Sequence, residues 1–129
     1  MKVYTIKNDK YATDIRMLLK LNSECARLHW SQSIKDVPAD VLCALETIEE
    51  YVEHKVMSLC GIEGNELTAD EENTFLNIIK NDNALKDTLG TGVVLKGNQA
   101  EGVYSIIKSK KGMEKIREAI ETGENVVLF

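Results

Sequence analysis

The chain lacks the short motifs that announce a reaction. It has no Gly-x-Ser-x-Gly elbow, no phosphate loop ending in Gly-Lys-Ser/Thr and no Gly-x-Gly-x-x-Gly turn. Gly90-Thr91-Gly92 precedes an apolar run that reads as a strand, whereas a phosphate cradle must open a helix, so it reads as a helix stop and turn. Two histidines in 129 residues leave ordinary acid–base chemistry few candidates. The three cysteines, Cys25, Cys43 and Cys60, are an odd number in no metal-binding spacing, which fits reduced thiols serving as small apolar side chains. The amino-terminal MKVYTIKNDK has no signal-peptide apolar stretch, and every uncharged apolar run is too short to span a bilayer. The expected location is cytoplasmic, with no membrane contact. Low-complexity tracts are also missing.

What remains is globular in composition: 43% hydrophobic and 29% charged residues, enough to bury a core in one domain spanning 1–129. The net charge of −5 is unevenly spread. Residues 1–35 carry seven Lys/Arg against three acids, a net +4, and residues 36–72 one Lys against eleven acids, a net −10. Residues 73–129 are nearly balanced at +1. An acidic chain with so acidic a middle is repelled by nucleic acid unless a separate basic face forms.

The periodicities predict an α+β fold, predominantly α-helical. Val3–Ile6 reads as a strand before the turn-like Asn8-Asp9. A long helix over 11–30 follows, with Tyr11, Ile15, Leu18, Leu19, Cys25, Ala26 and His29 on one side. Met17, Leu21 and Leu28 widen that apolar arc past half the circumference, which implies contacts with several neighbours. A second long helix lies between Pro38, suited to a first turn, and Gly61, suited to a left-handed stop. Residues 61–65 read as a hinge, dividing a helical hairpin (1–61) from the remainder (62–129). Thr68 with Glu71 forms a capping box for the next helix, ending near residues 81–82. A short helix over 84–89, a strand at 93–95, helices at 99–108 and 113–121, a stop at Gly123 and a strand at 126–129 complete the reading. The three strands are expected to meet in one small sheet, because a bare VVLF would invite aggregation.

The second half echoes itself. At an offset of 28, Leu67, Phe75, Leu76, Ile78, Ile79 and Lys80 meet Leu95, Val103, Tyr104, Ile106, Ile107 and Lys108, suggesting a weak tandem helix–helix–strand unit.

Four constellations carry chemistry. Cys25 and His29, four apart on one helix, have a two-ligand spacing, but His54 and Cys60 do not complete it. Core packing is the preferred reading, so neither metal nor cofactor is expected. Glu50 and His54 are also four apart, yet the Glu-x-x-His pairs of di-iron bundles are missing and a solvated acidic face fits better. Lys108, Lys110, Lys111 and Lys115, with Arg117, would serve a DNA-binding helical pair, but Glu101, Glu114, Glu118 and Glu121 nearly cancel them. Most suggestive are two charged rows: Arg16, Lys20 and Arg27 on the first long helix, and Glu46, Glu50 and Glu53, with Glu49 beside them, on the second. Either they neutralise each other across the hairpin, with little energy per pair, or they face a partner. The function expected is therefore a non-enzymatic module that binds a protein partner, like a small acidic inhibitor or immunity protein, or that self-associates. A DNA-binding regulator using the C-terminal helical pair is the alternative. A second alternative is a ligand-binding protein or enzyme with a pocket lined by His29, Trp30 or Tyr104.

Overall fold

The computed structural model describes residues 1–29, 31, 35–81 and 92–129. Its elements run β1 (Lys2–Ile6), α1 (Asp9–His29), α2 (Ala39–Leu59), β2 (Ile62–Glu66), α3 (Ala69–Lys80), β3 (Val93–Leu95), α4 (Asn98–Ile107), α5 (Glu114–Glu121) and β4 (Asn125–Leu128). The fold is thus predominantly helical α+β. The helix expected over 84–89 lies outside the described residues, as does Trp30.

The four strands form one antiparallel sheet in the order β2-β1-β4-β3. Side-chain alternation along a strand explains why both faces are covered. Val3 of β1, Val93 and Leu95 of β3, and Val126 and Leu128 of β4 share one core with Phe75, Ile79, Val103, Ile107, Met113 and Ile116 from α3, α4 and the α4–α5 segment. Tyr4 and Ile6, Val94 and Val127 turn to the other face, where Ala12, Ile15 and Leu19 of α1 and Val52 and Val56 of α2 cover them. The result is three layers: the α1–α2 pair, the sheet, and α3–α5. A run such as VVL is apolar throughout because both its faces are buried.

The ends of the elements follow local chemistry. Thr68 Oγ1 accepts from the Glu71 backbone N–H and Glu71 Oε1 accepts from the Thr68 N–H, the reciprocal capping box. At the end of α5, Gly123 takes φ +85°, its N–H donates to Ile120 O, and the Glu124 N–H reaches back to Ala119 O. That paired arrangement satisfies the last carbonyls of the helix. Asn125, buried in β4, donates from Nδ2 to Asp9 Oδ1 at 2.7 Å, and Lys96 Nζ lies 3.6 Å from Asp9 Oδ2. This ties the start of α1 to the outgoing end of β3. The hydrogen bond from Asn125, and then the Lys96 charge, hold the Asp9 carboxyl below its ordinary range.

Three expectations change. Residues 61–65 are no hinge: 62–66 are the strand β2, paired antiparallel to β1. Nor does Gly61 close α2 in the left-handed conformation, since Cys60 leaves the helix extended and the Gly61 N–H already donates to Thr5 O. Pro38 sits one place earlier than expected, at the N-cap of α2, where its carbonyl accepts from the Val41 and Leu42 N–H groups. IEGNE conceals its strand character because it is a polar edge: Ile62 and Gly64 are half-buried and the other three residues exposed. Gly64 is required by packing. A Cβ there would lie 2.5 Å from Met113 Sδ, 3.0 Å from Ile116 Cγ1 and 3.2 Å from Val3 O.

The aligned echo positions share burial at five of six pairs. Leu67 and Leu95, Phe75 and Val103, and Ile79 and Ile107 are buried, Leu76 and Tyr104 half-buried, and Lys80 and Lys108 exposed. α3 and α4 therefore turn the same positions inward.

Candidate protein-interaction surface

The α1–α2 pair presents two rows of charge. Buried residues of α1 are Ala12, Ile15, Leu19 and Cys25, so its outward arc carries Arg16, Lys20 and Arg27, all exposed. On α2, Leu45, Val52 and Val56 face inward, and Glu46, Glu50 and Glu53 stand exposed. Among the described residues no ion pair joins one row to the other: Arg27 Nη1 lies 3.8 Å from Glu24 Oε1 on its own helix, and Arg16, Lys20, Glu46, Glu50 and Glu53 have no ion-pair partner. Glu46–Glu50 and Arg16–Lys20 are like charges four apart, each costing a few tenths of a kcal/mol. No ion pair among the described residues offsets that cost.

Glu49 differs from its neighbours. It is half-buried, and its Oε1 lies 3.5 Å from His29 Nδ1 across the pair of helices. Cys25 lies in the same neighbourhood; burial, then the Glu49 and Glu24 charges, raise its thiol above the ordinary value. Glu49 is thus placed between the helices, and Glu46, Glu50 and Glu53 on the outside. Burial alone pushes the Cys60 thiol up to about 11, so it stays protonated and unreactive at neutral pH. The described residues contain no group of three His, Cys, Asp or Glu placed to hold a metal ion.

Beside the charged rows lies an apolar stripe. Met17, Leu21 and Leu28 of α1 are 68%, 45% and 42% exposed, and Met57 of α2 is 41% exposed. These three α1 residues do not make the contacts with several neighbours that the width of the apolar arc implies: α1 has the sheet on one side and α2 on another, and among the described residues no third layer covers its outside. A helix wheel shows the arc but not how many layers the fold supplies.

The C-terminal lysines are arranged otherwise. Lys110 Nζ lies 2.8 Å from Glu71 Oε1 and also donates to Glu66 O. Lys110, ahead of the capping-box bonds, holds the Glu71 carboxyl below its ordinary range. Arg117 Nη1 donates to the carbonyls of Ile107 and Lys110, closing the end of α4. Two of the five cations near this turn thus serve the fold, leaving Lys108, Lys111 and Lys115 exposed. Tyr104 is half-buried, its OH donating to Glu121 Oε1 at 2.7 Å. No helix among the described residues is long and apolar enough to cross a membrane. Comparison with protein-family models, with curated proteins and with solved structures finds no match to this chain.

Proposed function

We propose that the protein is a non-enzymatic interaction module whose α2 presents Glu46, Glu50 and Glu53 to a basic protein surface, in the manner of a small acidic inhibitor or immunity protein of the cytoplasm. The observation that carries this reading is the set of three exposed carboxylates, free of ion pairs among the described residues, on a helix fixed to the sheet through Val52 and Val56. A rigid row of like charge orients and speeds association with a complementary surface. Arg16, Lys20 and Arg27 form a second face of opposite sign, and Glu49 lies between the two helices, its Oε1 3.5 Å from His29 Nδ1.

The test is a chain carrying Glu46→Lys, Glu50→Lys and Glu53→Lys, compared with the parent in extracts of its native host. The parent is expected to retain, in stoichiometric amount, one protein that presents a basic surface. The variant should lose it while keeping its circular dichroism and melting temperature. Equal capture by both chains would remove the acidic row from the interface.

A further inference from the structure

We infer that a second copy of this chain docks on the outer face of the hairpin, with Arg16 and Lys20 of α1 in each copy set against Glu46 and Glu50 of α2 in the other. The inference rests on the reading of that face as a protein-binding surface, and it names the partner. Three observations on separate residues converge. The two rows have opposite sign and a shared spacing of four, so one helical turn of each presents two charges to two. Among the described residues, Arg16 and Lys20 find no ion pair within their own chain, and neither do Glu46 and Glu50. Exposed Met17, Leu21 and Leu28 accompany the basic row and Met57 the acidic one, supplying apolar surface that charge alone lacks.

A two-fold pairing makes this contact twice, because a closed symmetric dimer uses the same patch on both copies. Each like-charged row then receives opposite charge, and the repulsion between Arg16 and Lys20, and between Glu46 and Glu50, is offset on both sides. The edges of the sheet contribute nothing to this pairing: β2 carries exposed Glu63 and Glu66, and β3 is three residues long. Such charge blunts an edge against another chain.

Two full-length variants test the docking by light scattering and sedimentation at several concentrations: Arg16→Glu with Lys20→Glu, and Glu46→Lys with Glu50→Lys. All four positions are exposed, so both chains are expected to keep the parent's circular dichroism. The parent should be a dimer that dissociates as salt is raised, and each variant alone should be a monomer, with at least a tenfold weaker association. Mixed in equal amounts, the variants should recover a dimer, since the all-acidic hairpin of one meets the all-basic hairpin of the other. A parent that stays monomeric at all concentrations would overturn the second copy as partner. It would leave the capture of a basic host protein to decide the wider reading. A dimer that survives both reversals, or variants that do not associate when mixed, would equally overturn it.

Discussion

The two faces of one sheet are put to different uses. Against α3–α5 the core is made of large side chains: Phe75, Leu95, Ile107, Met113, Ile116 and Leu128 are all at most 1% exposed. Against α1 and α2 the strands contribute Tyr4, Ile6, Val94 and Val127, and the helices answer with Ala12, Ile15, Leu19, Val52 and Val56. The first face is covered by three short helices tied to each other by Lys110–Glu71 and the Arg117 bonds. The second is covered by two 21-residue helices, about 31 Å each at the usual rise. Their outer faces carry Met17, Leu21 and Leu28 uncovered. Both sides bury a core against the sheet, but only the α1–α2 side also leaves an uncovered outer face, the one proposed to bind a partner.

The largest expected effect breaks this contrast at its heavy end. Phe75→Ala removes a fully buried ring between α3 and the sheet, and should cost about 3–5 kcal/mol. Val52→Ala, equally buried on the other face, should cost about 2 kcal/mol, since it deletes two methyl groups and leaves a smaller cavity. Urea titrations of the two variants give the comparison directly. If Val52→Ala proved the more damaging, the face beneath the hairpin would be the structural one.

The next effect comes from tight packing at the sheet's polar edge. Gly64→Ala places its new methyl 2.5 Å from Met113 Sδ and 3.2 Å from a backbone carbonyl on the neighbouring strand. Met113 is fully buried and has little room to retreat. Overpacking of this kind costs about 1–3 kcal/mol. Thermal melts should show Gly64→Ala clearly below the parent, and Gly97→Ser, with open space around it, close to the cost of its left-handed φ of +62° alone. Equal melting of Gly64→Ala and the parent would mean that α5 does not press on β2.

Much of this architecture is legible in the sequence where local chemistry decides. Thr68 and Glu71 announce the start of α3, Gly123 the end of α5, and the apolar run at 126–128 a strand buried on both faces. β2 was hidden because IEGNE has one β-branched residue and two carboxylates; its strand character comes from β1, which supplies the hydrogen-bonding partner. The candidate surface was half legible. Spacing alone puts Arg16, Lys20 and Arg27 in one row and Glu46, Glu50 and Glu53 in another, with Glu49 beside them. It does not show that Glu49 faces His29, because that depends on where α1 crosses α2. For the same reason the outward position of Met17, Leu21 and Leu28 was not predicted.

The smallest effect sharpens the comparison most. On a face that serves stability, replacing a residue should cost free energy; on a face kept for display, relieving its local conflict should gain some. Glu50 stands four residues after Glu46 on the exposed side of α2, and no ion pair holds it among the described residues. Glu50→Lys turns that repulsion into an attractive Glu–Lys pair in the favoured orientation. The monomer should gain about 0.3–0.5 kcal/mol. Because the pair is solvent-exposed, the gain should fade in 1 M salt. Melts of dilute protein at low and high salt measure both. A loss of 1 kcal/mol or more would show that Glu50 holds the fold, and the outer face of α2 would then belong with α3–α5 on the structural side. A salt-sensitive gain would show that α2 carries its acidic row at a small cost to its own helix, a cost that only a partner's positive charge offsets.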